Sequence, residues 1–487
     1  MRRAEGVITV YASLTMILLL SLAGALIQSA AIQTSKNRAK AAAFLAVESV
    51  FAEYDPDLQK RYHVFAADCG RGGGDSESYA LGRMSFYGAD TQDASFRRVQ
   101  YLSDSSGEAL YEQALLYMEQ AGIDISTRDA ARLKEEADRI LADEEQAGED
   151  ARAMNRRIRE YAGKLEEAGE QPAEEETPAP GGQGAEENEK WKELLSAFPV
   201  FSAADLPESV MPQGKTVSGE KIDLSRTASH RTLQKGKGSF RHTVSALAGS
   251  AAGTAVFDSY LMDVTADAVS EPEEETALRY ETEYILFGEE SDKENLKKAA
   301  SRLLLIRTAL NTASLKSDAG RQAEIAAAAA FLSLSMGMPG AEGGIAQALT
   351  YAWAYGESVM EVRALLAGKK VPAVKSPENW KLSIGGLIVM AGSPFGVPGQ
   401  DVSAWEAPSE EGGMDYEDYL RIFLAAETKG VKTMRAVDLI ELNIDRMRSL
   451  GGSRFKADQS ICRLDVKSSC RLERGIRYSF ATAFAYR

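Results

Sequence analysis

The residues in this 487-residue chain whose types could do chemistry are three histidines, three cysteines and one loop rich in carboxylates. The histidines are too few for a His-rich metal site, and none stands in a His-Glu-x-x-His pattern. His63 lies in the apolar run Tyr62–Ala67, where a hydrogen-bonded core histidine is the plain reading, and His230 and His242 lie in polar, basic sequence that reads as exposed. Gly214-Lys215-Thr216 ends like a phosphate-binding loop, but that motif needs a glycine at position 209, which is Ser209. Gly236 and Gly238 begin a dinucleotide-binding pattern whose third glycine is replaced by Arg241. No Gly-x-Ser-x-Gly elbow occurs. Asp401, Glu406, Glu410 and Glu411 could supply a carboxylate pair for acid–base chemistry, although acidic residues in a Gly/Pro-rich loop are usually just solvated. The expectation is no catalytic residue, no metal ligand set and no cofactor.

The cysteines suggest a different chemistry. Tyr478, Phe480, Thr482, Phe484 and Tyr486 alternate with Ser479, Ala481, Ala483 and Ala485, the period of a strand with two unlike faces. Phe455–Leu464 also reads as extended, and Asp465–Ser468 supplies polar turn residues. Folding back about Val466 would set Cys462 opposite Cys470, within the separation a disulfide needs. Cys69 would then be the odd thiol; the alternative is independent reduced cysteines.

The element that must position everything else is residues 7–32, which are 26 positions without a charge. A helix there is long enough to cross a bilayer with some tilt, and it satisfies its own backbone hydrogen bonds in lipid. Cleavage as a signal peptide, next to Ala30 and Ala31, is the competing reading, but the apolar core exceeds the usual h-region. The sequence beyond it continues as a helix, with Phe44, Val47, Phe51 and Tyr54 on one stripe and Asp55-Pro56 as the stop. The whole rod is about 70 Å long at 1.5 Å per residue. Within the span Ser21, Ala25 and Ser29, flanked by Gly24 and Gln28, form a small-residue row on which a second helix could pack.

The organisation expected is α+β. Residues 1–54 form the anchor and rod, 55–169 a proximal α+β region, 170–189 an acidic Pro/Gly linker, 190–277 a loosely specified region, and 278–487 a mostly helical distal domain with C-terminal strands. Residues 135–189 hold 18 acidic and 6 basic side chains, so most of the formal charge of −16 is concentrated there. That balance argues against nucleic-acid binding. Strands are expected at Tyr62–Ala67, within 79–102, at Tyr280–Phe287, and as short pieces within 369–389. Helices are expected over 107–122, 126–169 (started by Ser126 and Asp129 as a capping-box variant, and either exposed or fluctuating), 245–269, 318–337 and 341–367, with 415–426 and 429–449 as a pair broken at Gly430. Another should open at Ser291-Asp292, with Leu296, Ala300, Leu303, Leu304 and Arg307 in register.

The opening EGVITVYASLTMILLLSLAGALIQSAAIQTSKNRAKAAAFLAVESVFAEYDPDL resembles a family of uncharacterised single-span surface proteins of Firmicutes, a domain of unknown function. So do EYILFGEESDKENLKKAASRLLLIRTALN, YAWAYGESVMEVRALLAGKKVP, DYEDYLRIFL and MRAVDLIELNI further on. Genes of that family accompany Tad-type pilus and type II secretion-like machinery, and the N-terminus is similar to the TadE/TadG pilin-like opening. The resemblance implies a cytoplasmic N-terminus, an extracytoplasmic bulk and no known activity. It departs from type IV prepilins at the fifth residue after Gly6, which is Tyr11 and not Glu, and this puts prepilin processing in doubt. The function expected is a non-enzymatic, membrane-anchored component or accessory of a Tad-like pilus or secretion assembly, partnered by the membrane and by other membrane, pilus or secretion proteins. The alternatives are an extracytoplasmic hydrolase built on scattered carboxylates, and a membrane-tethered binding or sensor module.

Overall fold

The computed structural model describes residues 2–70, 74–87, 93–123, 125–169, 191–198, 206–240, 247–270, 272, 275–392, 406–448, 454–472 and 475–486. The expected acidic linker, His242 and Asp401 lie outside these residues. The chain divides into two compact units, each assembled from separated segments rather than the contiguous stretches expected. The first comprises Met1–Gly122, Thr227–Ala248 and Val437–Arg487, and the second Ile123–Arg226 and Gly249–Ala436.

In the first unit helix α1 (Arg2–Phe51) is unbroken for 50 residues, in line with the expected rod. Its C-terminal half is part of a core. Ala39, Ala43, Ala46, Val47, Val50 and Phe51 are buried, with the 3–4 spacing of a single helix face. Alanines predominate there, so the helix axis can approach its neighbours closely. Phe44 and Tyr54, which belong to the expected stripe, are instead 45% and 41% exposed. The partners of this face are helix α3 (Ser76–Tyr87) and an antiparallel sheet. Strand β3 (Ser460–Arg471) is its centre, with β2 (Asp93–Tyr101), β4 (Arg477–Ala485) and the two-residue β1 (Ala67–Asp68) all hydrogen-bonded to it. Helix α2 (Pro56–Tyr62) starts where Asp55 caps the N–H groups of Asp57 and Leu58. Helix α4 (Asp104–Gln120) follows β2. Lys36 and Lys40 lie over the Tyr478 ring of β4, at 5.1 and 5.9 Å, and help seat the rod along that strand.

The second unit is helical. Helix α5 (Thr127–Gly169) carries the expected serine start: Ser126 Oγ accepts the Asp129 N–H at 3.1 Å and donates to its carboxylate at 2.6 Å. It is followed by α6 (residues 191–198), α7 (Ala251–Val264), α8 (Glu281–Phe287), α9 (Asp292–Ser317), α10 (Ala319–Ser335), α11 (Glu342–Leu366), α12 (Ile384–Gly392) and α13 (Tyr416–Ala426). Helix α14 (Lys429–Met447) begins in this unit. Helices α9, α10 and α11 pack together, and α5 runs along α7, α9, α11 and α13. Ala130, Ala137, Ile158, Tyr161 and Ala162 form the buried side of α5, so this acidic helix is packed on one face rather than exposed throughout. Arg302 pairs with its Glu144 at 2.7 Å.

Several expected strands are helices. Glu281–Phe287 of the expected strand Tyr280–Phe287 is α8, residues 79–87 of the expected strand region lie in α3, and Ile384–Gly392 is α12. Tyr62 ends α2, which leaves only Ala67–Asp68 as strand there. The expected break at Gly430 is instead inside α14.

The C-terminal alternation does form a strand, β4, but the turn lies elsewhere. Asp465–Ser468 is the middle of the continuous strand β3, which pairs antiparallel with β4 from Arg471 opposite Arg477 onward, and the Leu472 N–H donates to the Ile476 carbonyl at 2.8 Å. Cys462 and Cys470 therefore sit eight positions apart on one strand, roughly 27 Å at 3.4 Å per residue. Cys470 faces Tyr478, and Cys462, Cys470 and Cys69 are all buried and in no disulfide. The expected disulfide is corrected to three separate thiols. Burial pushes the Cys462 thiol well above its ordinary value, so it is inert rather than reactive.

Candidate functional site

The residues singled out for chemistry are dispersed or already engaged. His63 caps the C-terminus of α2 with φ +55°, and its ring stacks on Tyr117 at 4.1 Å. Lys215, the lysine of the abortive phosphate loop, donates to the carbonyls of Val269 and Leu366 at 3.4 and 3.3 Å. Gly236 is needed for close approach: a Cβ there would meet the Val99 carbonyl at 2.1 Å, and its N–H donates to Asp104 at 3.0 Å. Glu406 pairs with Lys369 at 2.6 Å, and Glu411 is exposed. Among the described residues no group of three His, Cys, Asp or Glu side chains has the placement to hold a metal.

Ser229, His230 and Asp438 converge in the first unit, and these are the residue types of a nucleophilic triad. Their order is wrong for one. Ser229 donates its N–H to Asp438 at 2.8 Å and its Oγ to the same carboxylate, while His230 Nδ1 lies 3.0 Å from Ser229 Oγ. A triad needs the imidazole between acid and serine, so this cluster anchors a loop instead.

A strained turn went unseen in the sequence. After β2 three successive residues, Ser105, Ser106 and Gly107, adopt left-handed angles (φ 53°, 60° and 77°). Only glycine does this without cost. The turn lets Asp104 accept the N–H groups of Tyr101 (2.8 Å) and Gly236 (3.0 Å). Burial pushes the Asp104 carboxyl up, and the two N–H bonds oppose that.

The most highly charged interior lies in the second unit. On α11 Glu357 and Glu361 are fully buried, as is Arg307 of α9, and Lys375 is 2% exposed. Arg307 Nε donates to Glu361 at 2.8 Å, and its Nη1 donates to the Pro372 carbonyl (3.0 Å), the Ala373 carbonyl (3.2 Å) and Tyr419 Oη (3.1 Å). Lys375 binds Glu361 at 2.9 Å and also Glu357, which accepts the Leu382 N–H at 2.8 Å. Asn311 donates to Glu361 at 2.8 Å. Burial raises the Glu361 carboxyl, but the charges and hydrogen bonds of Arg307 and Lys375 outweigh that and hold it below the ordinary range. Two cations balance two carboxylates in a closed cluster that no substrate reaches, so it specifies packing rather than catalysis. The sequence signal for it is Glu357-x-x-x-Glu361, two carboxylates one turn apart on a helix that is mostly apolar.

A second buried carboxylate differs. Glu283 of α8 is pushed up to about 8, first by burial and then by the nearby Asp267. Tyr416 Oη donates to it at 2.6 Å and the Ala268 N–H at 2.9 Å, both on Oε1. A carboxyl with that value is the sort of group an acid–base site uses, but this one is fully enclosed.

The remaining candidate is the exposed half of α1. From Val7 to Ile27 its large apolar side chains are 54–71% exposed all round the helix, so this stretch is no core helix. It is the one segment among the described residues long and apolar enough to cross a membrane, compatible with a single-pass anchor or a signal sequence. Ser21, Gly24, Ala25 and Ser29 are exposed on one side of it with Gln28 partly so, and Ser21 Oγ donates to the Leu18 carbonyl at 2.8 Å.

A family of unknown function, DUF5702, matches residues 184–472, more than half of the sequence. The chain belongs to that family. The DUF5702 match covers most of the second unit and ends after β3; α1, β2 and β4 lie outside it. No curated protein and no solved structure matches the chain.

Proposed function

We propose that this DUF5702 protein is a membrane-anchored, extracytoplasmic and non-enzymatic component or accessory of a Tad-like pilus or secretion assembly. One observation carries the reading: a single unbroken helix is apolar and exposed in its first half and is a core helix of a folded unit in its second. Such a helix transmits position without a hinge, which suits a part that must hold its body at fixed height above a bilayer. The resemblance of the opening to uncharacterised single-span surface proteins of Firmicutes, and of the N-terminus to the TadE/TadG pilin-like opening, supports the assembly context. The row Ser21, Gly24, Ala25, Gln28 and Ser29 offers a face on which a partner helix can pack closely.

The hydrolase alternative calls for an accessible pocket of raised carboxylates, and the raised Glu283 is enclosed. The experiment is purification of the intact protein from solubilised membranes, with identification of the chains that come with it. Pilus or secretion subunits are expected, and Gly24→Leu is expected to reduce their yield several-fold while leaving the protein in the membrane fraction. Recovery of this chain alone, or no response to Gly24→Leu, would count against the proposal.

A further inference from the structure

Two adjoining clefts on the first unit share one residue, Phe65. The larger, about 360 Å³, is walled by the rings of Phe51, Tyr54, Phe65, Phe484 and Tyr486, with Glu48 at its side. These rings stand at varied angles: Phe51 stacks on Phe484 at 4.4 Å, and Tyr486 lies edge-on to both. Tyr54 is 41% exposed and is the accessible ring of the wall; Phe65, Phe484 and Tyr486 are half-buried and Phe51 is buried behind them. The smaller cleft, about 280 Å³, is lined chiefly by amides and a stacked pair: Gln59, Gln113 and Gln120 beside His63 and Tyr117. Together the clefts have the size usual for small-ligand sites.

The chemistry of the lining narrows the ligand. Neither cleft is lined by lysine or arginine, so nothing there neutralises a phosphate or a carboxylate. A peptide adding itself as a strand needs free backbone groups, and at Phe65 both are taken: its N–H donates to Gln113 Oε1 at 2.7 Å, and its carbonyl accepts from Gln113 Nε2 at 2.9 Å. An acyl chain is out of reach, because Phe51 lies 19 positions beyond Ile32, about 28 Å along the helix. The rings and Glu48 could also receive a cation, which a lysine-rich peptide tests. The smaller cleft adds amides and no acid, however, and the lining as a whole suits a neutral ligand with apolar C–H faces and a hydroxylated rim. Glu48 is a further acceptor for the hydroxyls of such a ligand. The C–H faces meet the negative faces of the rings, and the rim meets side-chain amides, which both donate and accept. Gln59 and Gln120 line the same cleft as the stacked His63, which adopts a left-handed backbone that histidine tolerates at some cost.

We infer that this groove binds a neutral oligosaccharide, one pyranose resting on the aromatic end and the next hydrogen-bonded by Gln59 and Gln120. The test is calorimetric titration of the full chain, held in lipid nanodiscs free of sugar detergent, with the hexamer of N-acetylglucosamine and with cellohexaose. At least one is expected to bind saturably. Tyr54→Ala should weaken that binding at least ten-fold and Gln120→Ala several-fold, whereas Tyr54→Phe, which keeps the ring, should bind nearly as the parent does. Both alanine variants change side chains at the surface, and an unaltered melting curve will show that they are folded. The inference is overturned if neither sugar binds at millimolar concentration, if binding ignores Tyr54→Ala and Gln120→Ala, or if a lysine-rich peptide occupies the groove in preference to either sugar.

Discussion

Replacing Arg307 with methionine is expected to destabilise the second unit by about 3–5 kcal/mol, the usual result of removing one partner from a buried ion pair. The guanidinium is fully enclosed and binds Glu361, Tyr419 and two carbonyls. Methionine fills much of the volume but leaves Glu361 to Lys375 and Asn311 alone, in surroundings that penalise an under-compensated charge. Pairing Arg307→Met with Glu361→Gln should recover part of the loss, because the orphaned charge then disappears. All four tryptophans lie between residues 191 and 405, within the span of the second unit, so tryptophan fluorescence during urea unfolding reports on that unit. A loss below about 1 kcal/mol in the single variant, comparable to an exposed pair, would mean that the cluster is not closed to water.

The second large effect concerns pH. Glu283 is pushed from its ordinary 4.5 up to about 8, so the folded state holds its proton where the unfolded chain has released it. Between pH 4.5 and 8 the native state binds more protons, and stability falls as pH rises through that window. The contribution is fully present below pH 4.5 and lost above 8. Glu283→Gln keeps an acceptor for Tyr416 and for the Ala268 N–H but cannot ionise. Its stability should match the parent near pH 4.5 and exceed it by a few kcal/mol at pH 8. Asp258, beside the buried Lys432, is raised to about 6 by burial and adds a slope of the same sign at lower pH, which the Gln variant retains. Parallel pH profiles for parent and variant would show that Glu283 is ionised in the fold.

How much of this was legible in the sequence depended on whether the signal was local. The uninterrupted apolar run and the helix beyond it gave α1, and Ser291 opened α9 by accepting the Glu294 N–H as its position suggested. Tyr280–Phe287 has the alternation and side-chain types of a strand, yet its carboxylates are used in three dimensions: Glu281 and Glu283 accept the N–H groups of Ala266 and Ala268. Asp465–Ser468 looked like a turn because it is polar. Within the sheet the Asp465 carboxylate is satisfied, since Arg98 on β2 pairs with it at 2.8 Å, and the strand runs on. The groove at Phe65 draws on residues 48–65, 113–120 and 484–486, a juxtaposition no local pattern announces. The α5 stripe was faint for a simpler reason: much of it is alanine.

The central claim is that an uncut α1 holds both units outside the cytoplasm. It is tested most directly by adding protease to wall-stripped cells carrying the chain with a tag at each end. Before protease, both tags should migrate together at full length in the membrane fraction. After protease, the C-terminal tag should disappear while a short N-terminal fragment persists, shielded by the membrane. Separation of the tags before protease would mean that the apolar segment is a cleaved signal, and full protection of the C-terminal tag would place the units on the cytoplasmic side.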